Sequence, residues 1–195
     1  MVTVPNVITP RLSTARLLMR EWRESDRVQY TAMNGDPDVM RHFPSMLTPQ
    51  QSDEMIDRMA AAWRDRGFGL WAVERCDTNE LIGFVGLSSP SWHSEFTPCV
   101  EVGWRLGKQH WGHGFAPEAA TAALDWGFAN VDLPGDQIVS FTTEGNINSR
   151  RVMQKIGMTR DVDGDFDHPL LPDWVDRRHV LYRIDRRQYL DHVAR

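Results

Sequence analysis

The chain has few cysteines, no excess of basic residues and no long apolar run. Its two cysteines, Cys76 and Cys99, are too few for a disulfide framework and lack a metal-site spacing. The formal net charge of -5 argues against a nucleic-acid binder, whose surface is usually basic. No stretch approaches the ~18 apolar residues of a transmembrane helix, and residues 1–10 lack the pattern of a signal peptide. We therefore expect a cytoplasmic protein that binds neither nucleic acid nor membrane.

Hydrophobic residues make up 41% of the chain, which is enough for a packed core. Alternating apolar residues predict strands, and apolar residues at helical spacing predict helices. The expected strands are 14–22, 69–75, 81–88, 99–106, 137–143 and 179–184, and the main helices are 49–66, 116–128 and 149–156. We predict one α/β domain over residues 1–195, with an extended arm at 1–13 and a helical tail at 185–195.

A glycine-rich turn follows the fourth strand and opens an alanine-rich helix. It reads L-G-K-Q-H-W-G-H-G-F-A over residues 106–116. Glycines let a ligand approach the backbone closely, and a helix start presents unpaired N–H groups and a partial positive charge. We interpret the turn as the cradle of a cofactor that carries a diphosphate. A dinucleotide site would need a third glycine where Pro117 stands, whereas a purely structural glycine turn stays open.

Several segments resemble the GNAT superfamily of N-acetyltransferases. Residues 109–114 fit its Q/R-x-x-G-x-G/A signature. The frame E-V-G-W-R-L with W-G-H-G-F-A-P-E-A-A, the later N-I-N-S-R-R-V-M-Q-K-I-G-M and the early R-L-x-T-x-R-L-x-x-R resemble the subgroup of ribosomal-protein N-terminal acetyltransferases. The resemblance runs from about Arg11 to Ile184. It implies a mixed, mostly antiparallel sheet with helices on both faces, splayed between the fourth and fifth strands.

The resemblance also implies an acetyl-CoA site in that splay. The pantetheine arm would bond to the backbone of the fourth strand, and the pyrophosphate would lie on the N–H groups of the turn. Lys108, His110 and His113 would add positive or polar groups. The residues expected to bind acetyl-CoA are Trp104, Leu106, Gln109, Trp111, Gly112, His113, Gly114, Phe115, Ala116, Asn146, Asn148 and Ser149.

Acetyl transfer to an amine needs a neutral amine, a polarised thioester carbonyl, a stabilised oxyanion and a departing thiolate. Glu101, on the fourth strand, is the candidate base, directly or through water, and His93 and Glu95 are weaker alternatives. Backbone N–H groups near residues 102–104 would hold the oxyanion. Cys99 as a nucleophile lacks an activating neighbour other than His93.

The leaving thiolate needs a proton donor. Many members of the superfamily carry a tyrosine where this chain has Met153, and Ser149 is the candidate substitute. Ser149 could equally cap its helix or hold the pantetheine. Because a thiol has a reference pKa of ~8.5, a missing acid costs less than it would for an alkoxide.

The predicted function is acetyl-CoA-dependent N-acetylation of a primary amine by direct transfer in a ternary complex. A non-catalytic acyl-CoA-binding or regulatory module is the alternative, motivated by Met153. The acceptor is a small molecule or a protein N-terminus, and a homodimer stays open. The acidic segment 161–176 would suit a cationic acceptor, or it is a solvated loop. His168 borders the acceptor pocket or supports its loop, and no histidine has metal-site spacing.

Overall fold

An eight-stranded sheet organises residues 9–194, the part of the chain that the computed structural model describes. Its order is β1-β2-β3-β4-β5-β6-β8-β7, and β5–β6 is the one parallel pair among the seven that these strands form. The predicted mixed, mostly antiparallel sheet is confirmed. The strands are β1 (Leu12–Ser13), β2 (Leu17–Arg20), β3 (Leu70–Arg75), β4 (Leu81–Ser88), β5 (Glu101–Leu106), β6 (Gln137–Thr143), β7 (Thr159–Asp167) and β8 (Arg178–Asp185).

Two strands go beyond the sequence prediction. Strand β1 falls at the end of the expected arm, whose first eight residues lie outside the described part of the chain. Strand β7 occupies half of the acidic segment, because its polar residues still pair with β8 along the edge of the sheet. Alternation of apolar side chains did not predict β7 because most of its residues are polar or charged.

Five α-helices connect or flank the strands. They are α1 (Asp26–Asn34), α2 (Pro49–Arg66), α3 (Phe115–Asn130), α4 (Ile147–Lys155) and α5 (Arg186–Val193). Helix α2 begins with a capping box formed by Thr48 and Gln51. Helix α4 begins earlier than predicted, because the side chain of Asn146 accepts a hydrogen bond from the Ser149 N–H. None of the helices in residues 9–194 has the length and apolarity needed to cross a membrane.

Helices cover both faces of the sheet, as predicted. On one face, small residues of α3 pack against Val102 and Leu106 of β5 and against Val100 just before it. A Cβ atom on Gly127 of α3 would lie 2.7 Å from Leu87 Cδ1, so the helix depends on a glycine to lie this close. On the other face, α1 and α2 bury Tyr30, Met33, Ile56 and Met59 against Ala72 and Phe84. The two faces therefore have separate cores, and β5 contributes to the first through its even-numbered residues.

Gly83 shapes β4 where it meets β5. It has φ +141°, and the pairing of β3 with β4 shifts register beside it. A Cβ atom at Gly83 would lie 2.1 Å from the Arg105 carbonyl oxygen and 2.8 Å from Leu106 Cα. The bulge or close backbone neighbour that a glycine in this strand suggests is thus present, and it sets the position of β5.

We expect Gly83→Ala to destabilise the fold by ~2–4 kcal/mol, because strain at positive φ adds to a clash with backbone. Gly67→Ala is the matched control, since Gly67 has φ +75° with nothing within 4 Å of the added Cβ. The control should lose only ~1–2 kcal/mol. Urea unfolding of the two variants measures the difference, and equal losses would contradict the close contact.

Candidate functional site

Strands β5 and β6 separate soon after they meet. Within residues 9–194 their only paired residues are Glu101 and Val139, and the Val139 N–H donates to the Val100 carbonyl at 2.9 Å. The Gly107 N–H instead donates to Ile82 of β4 at 3.0 Å. Because backbone groups alternate along a strand, those of Val102, Trp104 and Leu106 face the gap. The predicted splay is confirmed, and it leaves an open strand edge to which a ligand could bond.

A cavity of about 1020 Å³ opens at this gap. It extends from the glycine-rich turn and α4 on one side to the face covered by α1 and α2 on the other. Eleven residues predicted for the site line it, namely Glu101, Trp104, Leu106, Trp111, Gly112, Gly114, Phe115, Ala116, Asn146, Asn148 and Ser149. One elongated site can therefore hold a donor and an acceptor together.

Two predicted residues of the turn lie outside the lining of this cavity. The side chain of Gln109 lies beside Gly107 and lines a smaller cavity of about 270 Å³. His113 is exposed and stacks on Phe115 with ring centroids 5.7 Å apart, while its carbonyl accepts a 2.9 Å hydrogen bond from Arg16. Both residues therefore fix the shape of the turn in this structure.

The turn itself has the geometry of an anion site. Gly112 and Gly114 both have φ +80°, a conformation that favours glycine. Gly114 precedes α3, and the first bond inside the helix runs from the Glu118 N–H to its carbonyl at 3.2 Å. Since Pro117 has no N–H, the Phe115 and Ala116 N–H groups are the unpaired donors of the first turn. They point out of the helix start, where its dipole favours an anion.

The cations nearest the cofactor side differ from those expected. Lys108 pairs with Asp38 at 2.5 Å, and burial lowers the pKa of His110, which favours its neutral form. Arg151 and Lys155 of α4 line the cavity instead. Neither cation was predicted for the site, although their spacing of four residues places both on one face of a helix.

The Glu101 carboxyl group lies half-buried on the wall of the cavity. It accepts a 3.2 Å hydrogen bond from the Ser88 hydroxyl of the neighbouring strand. Burial raises the pKa of Glu101 to about 7, and the Ser88 hydrogen bond partly opposes that rise. A carboxyl group with a pKa near neutrality is suited to accept a proton at physiological pH. The alternative bases, His93 and Glu95, are exposed and lie outside the cavity lining.

Cys99, next to this carboxyl group, is unsuited to act as a nucleophile. Its side chain is buried, and burial together with the Glu101 charge raises the pKa of the Cys99 thiol to about 11. The reactive thiolate is therefore scarce at neutral pH.

Helix α4 brings Ser149 to the cavity. Asn146 caps the helix, so the Ser149 hydroxyl is not used for capping, and it makes no hydrogen bond to any other part of residues 9–194. Met153, one turn further on, is 1% exposed and packs in the core. Of these two side chains, only the Ser149 hydroxyl can exchange a proton with a bound ligand.

Aromatic side chains wall the end of the cavity beyond Glu101. The lining there includes Phe141, His168, Trp174 and His179, and the two imidazole rings lie 5.2 Å apart. Burial lowers the pKa of both histidines. His168 therefore borders the cavity as a group that favours its neutral form.

Arginines pair with half of the six aspartates in the acidic segment. Asp161 pairs with Arg183 at 2.6 Å, and Asp165 pairs with Arg160 at 2.5 Å. Asp167 contacts two further arginines, at 3.2 and 3.6 Å. Three carboxylates of the segment are thus held in ion pairs. Because these carboxylates already have cationic partners, the segment is less suited to bind a cationic acceptor. The described residues contain no cluster of three or more acidic, histidine or cysteine side chains suited to a metal ion.

Comparison with known proteins agrees with this geometry. A family model described as an acetyltransferase (GNAT) domain matches residues 16–159. The uncharacterized N-acetyltransferase YoaA of Bacillus subtilis is 29% identical over 154 residues, which cover 78% of this chain and 84% of that protein. The residues matched by the family model include β5, the turn and α4, the elements that build the cavity.

Two solved structures have the same fold at lower identity. The ribosomal-protein-S5-alanine acetyltransferase of Vibrio fischeri superposes with a TM-score of 0.67 at 16% identity, covering 91% of this chain and 97% of that one. A spermidine N-acetyltransferase of Vibrio cholerae, solved with CoA and spermine, gives a TM-score of 0.69 at 19% identity, covering 91% and 99%.

Proposed function

The chain belongs to the acetyltransferase (GNAT) family and is an N-acetyltransferase, and from this premise we propose that it moves an acetyl group from acetyl-CoA directly to a primary amine. The observation that carries the proposal is the open edge of β5, which lies between an anion-binding turn and a carboxyl group with a pKa of about 7. One continuous cavity joins the three features, which favours direct transfer in a ternary complex.

We propose that different residues bind different parts of acetyl-CoA. Backbone groups of Trp104 and Leu106 would bond to the pantetheine arm, although the Leu106 carbonyl already accepts a 2.9 Å hydrogen bond from the Trp111 indole. The turn from Gly112 to Ala116 would hold the pyrophosphate. Asn146, Asn148 and the cations Arg151 and Lys155 would bind from α4, and Gln109 and His113 would act by shaping the turn.

The residues that we propose for the chemistry lie on both sides of the thioester. Glu101 accepts a proton from the amine, directly or through water, as the nitrogen attacks the acetyl carbon. The N–H groups of Val102 and Trp104 donate to the oxyanion that develops as the C–N bond forms. As the C–S bond breaks, the Ser149 hydroxyl donates a hydrogen bond to the departing sulfur, or passes it a proton that the hydroxyl regains from water. A thiol reference pKa of ~8.5 keeps the demand on Ser149 small.

The non-catalytic alternative rested on Met153. The Ser149 hydroxyl, which lines the cavity one turn earlier, supplies the polar group that Met153 lacks, so we do not favour that alternative.

Isothermal titration with acetyl-CoA tests the donor part of the proposal. We expect saturable binding, followed by thiol release when an accepted amine is added. Failure to bind acetyl-CoA at millimolar concentration would overturn the proposal. Binding without thiol release across a broad amine panel would instead support the non-catalytic alternative.

The pH profile tests the role of Glu101. Because the carboxylate is the active base, kcat/KM should fall as pH drops through about 7, the pKa of Glu101. Ser88→Ala removes a hydrogen bond that favours the charged form, so its acidic limb should move to higher pH. An identical limb in both proteins would show that another group controls the profile.

A further inference from the structure

Arg105 is a buried cation on the wall of the cavity. It follows Glu101 and Gly103 on β5, and these odd-numbered residues face α1 and α2 rather than α3. Its side chain is 7% exposed and contributes to the cavity lining. The guanidinium carbon lies 4.1 Å from the centre of the Phe43 ring and 5.6 Å from that of Phe84.

The charge of Arg105 has no anionic partner within residues 9–194. Its one side-chain hydrogen bond is from Nη1 to Asn34 Oδ1 at 2.7 Å, and its buried Nε has no partner at all. Ser52 holds the other end of the Asn34 amide at 3.1 Å, which fixes the oxygen toward Arg105. Burial lowers the pKa of Arg105, as expected for a cation without a carboxylate.

Arg20 is a buried structural cation on the same face of the sheet, and its partners differ from those of Arg105. It is 2% exposed, yet Asp26 and Glu74 both contact its guanidinium at 2.7 Å. A buried charge without such a partner costs several kcal/mol. Because Arg105 lies at a cavity wall with no carboxylate beside it in residues 9–194, we infer that a bound ligand supplies its anionic partner.

The proposed donor is poorly placed to be that partner. Its phosphates would lie at the start of α3 and beside α4, and α3 covers the opposite face of the sheet. The acidic residues that line the cavity do not pair with Arg105 either. Asp38 is already paired with Lys108 and Arg41, and Glu101 is four residues away, ~13 Å along a strand. Arg105 thus faces the space left for the acceptor.

We propose that the acceptor carries an oxyanion, with a carboxylate as the simplest case, and that Arg105 binds it. This inference rests on the proposed function. Gly103 lies between the base and the cation, ~7 Å along the strand from Arg105, so one small molecule can present its amine near Glu101 and its oxyanion to Arg105. Phe43, Phe84 and Met55 line the same region and suit an apolar remainder. An amino acid fits this arrangement, whereas a polyamine lacks the oxyanion.

Thiol release with matched acceptors tests the proposal. Each amino acid is compared with its amide, its decarboxylated amine and its aminophosphonate analogue. For at least one amino acid or aminophosphonate, we expect kcat/KM to exceed that of the matching amide and decarboxylated amine ~10-fold or more. Comparison of the amino acid with its aminophosphonate then shows whether the site prefers a carboxylate or a phosphonate. Equal use of amides, or preference for polyamines, would overturn the inference and leave the proposed function intact. No acetylation of any amine would overturn both.

Variants link the preference to Arg105. In Arg105→Gln the ratio of kcat/KM for acid over amide should fall ~10–100-fold, mainly through KM, and Arg105→Lys should keep part of it. A merely structural role would lower both activities together and leave the ratio unchanged. Arg41→Gln is the control, because Arg41 lines the same cavity, is exposed and pairs with Asp38. Urea unfolding confirms that each variant is folded.

Discussion

Replacing Glu101 by Gln is expected to lower kcat by roughly 10²–10⁴-fold, the usual contribution of a general base. The amide keeps the size of the side chain and can still accept the Ser88 hydrogen bond, but it cannot take a proton from the amine. Measurement of kcat for Glu101→Gln with an accepted amine, above pH 7, gives the effect. A turnover equal to that of the wild type would remove Glu101 from the mechanism.

Two controls separate chemistry from binding in this variant. The dissociation constant for acetyl-CoA should stay nearly unchanged, because Glu101 faces away from α3 and the turn. Glu95→Gln should keep its activity, since Glu95 is exposed on the loop before β5 and lies outside the cavity lining. A large loss in Glu95→Gln and none in Glu101→Gln would transfer the role of base to the loop.

Local signals in the sequence predicted most of the fold. Alternating and helical apolar patterns predicted the central strands and the main helices, and the resemblance to the GNAT superfamily implied the mixed sheet with helices on both faces. The cap of α4 was misassigned because Asn146, Asn148 and Ser149 are all suitable cap residues and only the backbone decides among them. Most of strand β7 was missed because pairing, and not apolar alternation, holds it at the edge.

The acceptor side of the site could not be read from the sequence. Arg105 lies in a strand where it looks like an ordinary surface residue, and its burial depends on Asn34 and Phe43, more than 60 residues away. In the acidic segment, Asp161 likewise pairs with Arg183 of β8, which is 22 residues away along the chain. Contacts between residues far apart in the chain decide whether a charged side chain is free, paired or buried. The periodicity of the sequence does not predict such contacts.

Gly112→Val is expected to weaken acetyl-CoA binding ~10–100-fold. A β-branched residue does not tolerate φ +80°, so the turn must change shape and its N–H groups no longer converge on one anion. The loss of one charge-assisted hydrogen bond, ~1.5–3 kcal/mol, corresponds to that change in affinity. Isothermal titration of the variant with acetyl-CoA measures it.

Gly67→Val separates this loss of binding from simple backbone strain. Gly67 has φ +75° at the end of α2, and an added Cβ at Gly67 or at Gly112 meets nothing within 4 Å. The two variants should therefore lose similar stability in urea, while only Gly112→Val loses affinity for acetyl-CoA. If both bound acetyl-CoA like the wild type, the turn would not be the pyrophosphate site. If both lost affinity equally, the effect would come from destabilisation of the fold, and the turn would have no special role.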